Sequence, residues 1–231
     1  MSVQHTETII TVASFKNIEA IGRSATIEST EQLKRHIEAL IAIEPKFSAI
    51  YEQVGVPDLR RNTGGFEQLL RAMVGQQLSV AAASSIWQRL IDADLTNPKM
   101  IKAVSDDILR AQGLSKQKVR YARSLIEHDI DFESLSTIND EQVLEILTAV
   151  AGIGRWTAEM YLLFSLGRAD VLAVDDLAIK VAAMDLLNLV ERPTPKQLKK
   201  ATENWSPHRS AASLLLWSHY GLLRNRKAMP V

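Results

Sequence analysis

The stretch TAVAGIGRWTA, residues 148–158, separates two segments of helical periodicity and carries Gly152 and Gly154 one residue apart. Glycine permits backbone conformations that residues with a Cβ resist, so the pair predicts a tight turn between two helices. Such a turn exposes backbone amides at the start of the second helix, where the helix dipole also favours an anion such as a phosphate. A GxG pair alone is more often an ordinary helix–helix turn, so its function depends on the surrounding sequence.

Helical patterns continue on both sides of this turn. Thr30, Ser79 and Asp140 each precede apolar or Ala-rich segments and are interpreted as helix caps, while Gly113 is interpreted as a helix stop. The predicted helices cover 31–43, 66–77, 80–91, 97–112, 115–128, 140–147, 155–166, 176–188, 195–203 and 208–223. Because no alternating strand pattern follows residue 30, we predict an all-α fold of about ten short helices.

Composition excludes several classes of protein. The chain of 231 residues is 46% hydrophobic but has no apolar run of membrane-spanning length. Residues 1–7 lack the basic start of a signal peptide, so we expect no membrane association and an intracellular location. The absence of cysteine excludes disulfides, thiolate zinc sites, cysteine nucleophiles and iron–sulfur clusters.

The formal net charge is zero, but the charge is unevenly distributed. Residues 192–231 contain eight Lys and Arg residues against the single Glu203. This basic end is compatible with nucleic-acid binding and equally with an ordinary solvated face. Charge alone therefore decides nothing about a partner.

Several motifs together are far more specific than the glycine pair. GIGRWTA at 152–158 and LAVDDLAIK at 172–180 resemble the helix-hairpin-helix DNA glycosylases, most closely the 3-methyladenine-DNA glycosylase II type. VGQQLS at 74–79, LRAQGLSKQKVRYA at 109–122 and WSPHRSAASLLLW at 205–217 extend the resemblance over about residues 30 to 223. The resemblance implies a DNA repair enzyme that flips a damaged base out of duplex DNA.

The family carries its catalytic aspartate at the position of Asp176, which lies 22 residues after Gly154. Cleavage of an N-glycosidic bond builds positive charge on the deoxyribose, and a carboxylate held at a helix N-terminus can stabilise that charge. The alternative is that both aspartates of the pair only cap the helix. We assign the capping role to Asp175 and the chemical role to Asp176.

Two features favour a monofunctional enzyme acting on alkylated purines. The bifunctional relatives carry a lysine nucleophile two residues after the second glycine, where this chain has Trp156. Relatives acting on oxidised pyrimidines or mismatched adenines typically bind an iron–sulfur cluster, which a chain without cysteine cannot hold. No cofactor is therefore expected.

The resemblance also implies a base pocket. Trp156 and Trp217 match pocket tryptophans, and stacking on a cationic alkylated purine adds about 0.5 to 2 kcal/mol. A pocket tyrosine of the family falls on Met160, with Tyr161 displaced by one residue. The other two tryptophans, Trp87 and Trp205, are predicted to be core residues.

DNA contacts are predicted from the same resemblance. A wedge that fills the gap left by the flipped base is assigned to Gln77, with Leu78 as the alternative, although both could belong to an ordinary helix start. Phosphate contacts are assigned to four residues: Gly152, Gly154, Ser115 and Lys118. A monovalent cation, Na+ or K+, would be held by three main-chain carbonyls: Thr148, Val150 and Ile153.

We expect a leader at 1–29 and two helical lobes flanking a cleft. One lobe would combine 30–64 with 173–231 and carry Asp176, and the other, 65–172, would carry the hairpin. The partner would be double-stranded DNA bound by a monomer, in the nucleoid of a bacterium or the nucleus of a eukaryote. The alternatives are a glycosylase for deaminated or oxidised purines and a non-catalytic helix-hairpin-helix DNA-binding module.

Overall fold

A computed structural model describes residues 25–228, and most of the predicted leader lies outside this range. The all-α prediction is confirmed, since strand pairing within the described residues is limited to one isolated bridge between Thr26 and Arg168. None of the helices described is long and apolar enough to cross a membrane. The α-helices of this part are α1 (Thr30–Ile43), α2 (Phe47–Val54), α3 (Gly65–Gly75), α4 (Val80–Asp92), α5 (Pro98–Ala103), α6 (Asp106–Ala111), α7 (Lys116–Glu127), α8 (Asp140–Thr148), α9 (Arg155–Met160), α10 (Leu177–Leu186), α11 (Pro195–Ala201) and α12 (Arg209–Ala228).

Two of the three predicted caps are wrong by one residue. Ser29 rather than Thr30 caps α1, because the Ser29 hydroxyl accepts from the amide of residue 32. Asn139 rather than Asp140 caps α8, in a reciprocal capping box with Gln142. Ser79 caps α4 as predicted. In each case the residue in extended conformation, whose side chain turns back on the helix, is the cap.

The single helix predicted at 97–112 is two helices, α5 and α6. Ser105 adopts an extended conformation between them and restarts the chain as the N-cap of α6. Arg123 of α7 donates to the carbonyls of Ile101 (2.5 Å) and Val104 (2.6 Å), which satisfies the C-terminal end of α5. This contact lies on α7, so the local sequence of 97–112 does not reveal the break.

The helices pack into two neighbouring groups. Helix α12 packs on α10, α1 and α2, while α3 packs on α4 and α7, and α5 and α6 also pack on α7. Trp205 and Trp87 are buried, as predicted for core residues. This packing supports the proposed division into two lobes, which stays a prediction.

A pair of buried histidines joins α1 to the start of α12. The Nδ1 atoms of His36 and His208 lie 2.9 Å apart, so one ring donates to the other. Burial, followed by the charges of His208 and Arg35, lowers the pKa of His36 from 6.5 to about 4, against a smaller opposing effect of Asp170. Burial also lowers the pKa of His208.

We therefore expect acid to destabilise the fold through this pair. The unfolded chain takes up these protons at a higher pH than the folded chain, so stability falls as pH drops from about 6.5 to about 4. Glu159 contributes in the opposite direction, because burial raises the pKa of its carboxyl to about 7. The effect of His36 is therefore measured as the difference in free energy of unfolding between the wild type and His36→Gln, which does not titrate. In urea titrations this difference should change by on the order of 2 to 3 kcal/mol between pH 6.5 and pH 4, and a difference that does not depend on pH would contradict the assignment.

Candidate active site

Asp176 lies at the N-terminus of α10. It is the N-cap of this helix, and its Oδ1 accepts from the amide of Ile179 at 3.0 Å. The assignment of the capping role to Asp175 is therefore wrong, because the Asp175 side chain points to solvent and the extended backbone of Asp176 turns its own carboxylate onto the helix. Asp176 itself has the capping role, and its catalytic role stays a prediction.

Both predicted pocket tryptophans bind this carboxylate. The indole nitrogen of Trp156, in α9, donates to Asp176 Oδ2 at 2.9 Å. The indole nitrogen of Trp217, in α12, donates to Oδ1 at 3.3 Å. Hydrogen bonds to an ionised acceptor are stronger than neutral ones and fix its direction. Asp176 is half-buried, and the two indoles orient its carboxylate. Asp176 itself lines neither of the two cavities described next, whereas both tryptophans do.

Two cavities flank this cluster. The first has a volume of about 590 Å³ and lies between α3, the segment 75–77 and α9. The second has a volume of about 530 Å³ and lies between α9 and α12. Each is large enough to hold a flat purine base. They share a wall made by three side chains: Trp156, Met160 and Phe164.

The four predicted base-pocket residues are divided between these cavities. Trp156 and Met160 line both, Tyr161 lines only the first, and Trp217 lines only the second. The predicted helix 155–166 is α-helical as far as Met160 and continues as a π-helix over Tyr161–Ser165. Tyr161 is buried and accepts from the amide of Gly65 at 2.8 Å, and burial raises the pKa of its phenol.

Phe164 is a functional candidate that the sequence analysis missed. Its ring stacks on Trp217 with centroids 5.8 Å apart and an interplanar angle of 24°. The signal was available, because Trp156, Met160 and Phe164 are spaced by four and such residues share one helix face. The sequence analysis assigned only Trp156 and Met160 to the base pocket.

The glycines of the hairpin differ in what they require. Gly152 has φ +92, and a Cβ there would lie 2.4 Å from the ring of Tyr121, so this position needs glycine. Gly154 is the N-cap of α9 with an ordinary φ of −84, and a Cβ built on it has no described atom within 4 Å outside the adjoining backbone. The prediction that both glycines relieve backbone strain is therefore correct for Gly152 and wrong for Gly154. The missing side chain of Gly154 instead leaves the surface above the start of α9 uncovered.

Residues 75–79, called the wedge loop below, follow α3 directly. Gln77 has φ +57 and is exposed, while Leu78 is 40% exposed. The Nε2 of Gln76 donates to the carbonyl of Gly152 at 2.8 Å and so connects the loop to the hairpin. Both predicted wedge side chains are exposed to solvent. The assignment of the wedge to Gln77 rather than Leu78 stays a prediction.

The predicted phosphate ligands on α7 have other partners in this structure. Ser115 is the N-cap of α7 and accepts from the amide of Lys118. The Nζ of Lys118 donates to the carbonyls of Val74 (2.6 Å) and Gln76 (2.9 Å). Lys118 is thus directed at the protein backbone, because the C-terminal carbonyls of α3 attract a cation. Phosphate binding by either side chain stays a prediction.

The predicted monovalent cation would be bound by main-chain carbonyls of the hairpin. Among the described residues no cluster of three or more His, Asp or Glu side chains could hold a metal ion, so an ion at the hairpin would need main-chain oxygens. The carbonyl of Val150 accepts from the amide of Ile153 at 3.1 Å, which leaves one of its lone pairs. Binding of an ion by this carbonyl together with those of Thr148 and Ile153 stays a prediction.

Comparison with known proteins agrees with this fold. Residues 70–208 match the family described as HhH-GPD superfamily base excision DNA repair protein. The chain is 36% identical over 161 residues to DNA-3-methyladenine glycosylase 1 of Schizosaccharomyces pombe, covering 66% of this chain and 71% of that protein. It also resembles a crystal structure of DNA-3-methyladenine glycosidase from Bacillus halodurans, with 34% identity, a TM-score of 0.76 and coverage of 87% of this chain and 94% of that one.

A further solved relative is a 3-methyladenine DNA glycosylase of Schizosaccharomyces pombe in complex with abasic DNA. It is 31% identical with a TM-score of 0.63, and the match covers 79% of this chain and 95% of that chain. The chain belongs to the HhH-GPD superfamily of base excision DNA repair proteins, in its DNA-3-methyladenine glycosylase branch.

Proposed function

We propose that this protein is a monofunctional DNA glycosylase that excises alkylated purines, of the 3-methyladenine and 7-methylguanine class, in base excision repair. The observation that carries the proposal is the carboxylate of Asp176, held by the indoles of Trp156 and Trp217 beside two cavities of purine size. The names of the similar glycosylases support the same activity.

Asp176 would stabilise the positive charge that develops on the deoxyribose as the N-glycosidic bond breaks. The bonding electrons leave with the base, and a water molecule adds to C1′ and loses a proton. The hairpin position that carries a lysine nucleophile in bifunctional relatives is Trp156. The product would therefore be an unbroken strand with an abasic site.

Selection of alkylated purines would rest on two effects. Stacking of a cationic base against Trp217, itself stacked on Phe164, adds about 0.5 to 2 kcal/mol. The alkylated base is also a better leaving group, so the enzyme needs to lower the barrier less than for a normal purine. The second cavity, which both aromatic rings line, is the candidate base pocket.

Duplex DNA would bind across the hairpin and the wedge loop. The amides around Gly152 and Gly154 would contact a phosphate, joined by the Na+ or K+ ion at the hairpin carbonyls. Gln77 would enter the space left by the flipped nucleotide. The protein would act as a monomer where the genome lies, in the nucleoid or the nucleus.

Base release from methylated DNA tests the proposal. We expect free 3-methyladenine and 7-methylguanine on chromatography, with strands that break only after alkali treatment. Oligonucleotides containing hypoxanthine or ethenoadenine, assayed alongside, determine whether the range extends to deaminated or other modified purines. Tight DNA binding without release of any base would instead assign a non-catalytic DNA-binding role.

A further inference from the structure

One face of α7 contacts both DNA-binding elements proposed above. Lys118, Tyr121 and Ser124 are spaced by three along this helix and so lie on one side. The ring of Tyr121 packs against Gly152, and the Ser124 hydroxyl accepts from the amide of Ala151 at 3.0 Å. These two contacts seat the hairpin on α7.

Lys118 extends from the same face to the wedge loop. Its ammonium group donates to the carbonyls of Val74 and Gln76 at 2.6 and 2.9 Å, at the C-terminal end of α3. These carbonyls have no partner within the helix and lie at the negative end of its dipole, where a cation is favoured. Burial lowers the pKa of Lys118, which agrees with an amine turned inward.

Gln76 is held from two directions as a result. Its carbonyl accepts from Lys118, and its side-chain amide donates to the carbonyl of Gly152 at 2.8 Å. The next residue, Gln77, has φ +57, a conformation that a non-glycine residue keeps only when its surroundings impose it. The anchored neighbour therefore sets the direction in which the exposed Gln77 side chain leaves the surface.

We propose that Lys118 is a positioning residue for base extrusion, which holds the wedge loop at a fixed place relative to the hairpin. Once the hairpin is seated on a phosphate, the wedge then meets the base stack at one defined step. This inference rests on the proposed glycosylase function. In the positioning role, Lys118 acts through the wedge loop and not through a contact with DNA.

The role predicts an effect that depends on the cost of extrusion. Removing a paired base from the stack costs a few kcal/mol, and less when the opposite position has no base. Loss of the contact between Lys118 and the wedge loop should therefore slow excision mainly where a base pair must be opened. A merely structural role would lower both rates by the same factor, because it changes only the folded fraction.

Lys118→Met removes the ammonium and keeps the hydrocarbon chain. We expect excision of a methylated purine opposite a pyrimidine to slow at least about tenfold, and opposite an abasic-site analogue no more than about twofold. Lys118→Arg retains donors for the two carbonyls and should therefore excise both substrates at close to the wild-type rates. Lys102→Met removes the same charge from an exposed position on α5 and serves as the matched control.

A second measurement does not require catalysis. 2-Aminopurine next to a lesion made resistant to excision by a 2′-fluoro sugar brightens when the lesion leaves the stack. At saturating protein, Lys118→Met should give less than about a third of the wild-type increase. Equal increases, or an equal slowing on both excision substrates, would overturn the positioning role, whereas a wild-type protein that extrudes but excises nothing would overturn the proposed function alone.

Discussion

Replacing Asp176 with Asn is expected to lower base excision by at least about 100-fold and to leave DNA binding nearly unchanged. The substitution removes the negative charge that would face the sugar as it becomes cationic. Single-turnover release of 7-methylguanine measures the first effect, and fluorescence anisotropy on a duplex with an abasic-site analogue measures the second.

The structure explains why this substitution separates chemistry from folding. Asn caps a helix as well as Asp does, so Oδ1 can still accept from the amide of Ile179. The new amide nitrogen would then replace Oδ2 and face the indole N–H of Trp156. Trp156 is 48% exposed, so its indole can bind water instead. We therefore expect little loss of stability.

Asp175→Asn is the matched control, because it removes one charge from the adjacent exposed residue. It should excise at close to the wild-type rate. Turnover by the Asp176→Asn protein within a few-fold of wild type would remove the proposed mechanism. It would leave the family and the fold, which rest on separate observations, untouched.

The sequence predicted the parts of the site whose chemistry is carried by local motifs. The hairpin and its glycines, the aspartate and the two tryptophans lie in short segments where spacing and residue type are informative. The structure brings Asp176, Trp156 and Trp217 into direct hydrogen-bonding contact. The all-α fold follows from periodicity, which depends on neighbours three or four residues away.

The errors arise where distant contacts decide. Arg123 of α7 binds the carbonyls at the end of α5, a contact that the sequence of 97–112 does not contain. Asp176 rather than Asp175 caps α10 because the backbone at 176 is extended, which a DD pair alone does not reveal. The first difference depends on a residue far away in sequence, and the second depends on a backbone conformation.

The last prediction uses the difference between the two hairpin glycines. Gly152→Ala would place a methyl group 2.4 Å from the ring of Tyr121 at a φ of +92, which alanine rarely adopts. The free energy of unfolding from urea titration should fall by on the order of 3 kcal/mol. The hairpin would shift on α7, so DNA affinity should fall as well.

Gly154→Ala should behave in the opposite manner. The backbone there suits alanine, and the added Cβ would have no described atom within 4 Å outside the adjoining backbone, so stability should fall by less than about 1 kcal/mol. The methyl group would nevertheless occupy the surface above the amides at the start of α9, and affinity for an abasic duplex should drop about tenfold, or about 1.4 kcal/mol. If a phosphate does not bind at this turn, Gly154→Ala will bind DNA like the wild type, because the protein itself has room for the methyl group.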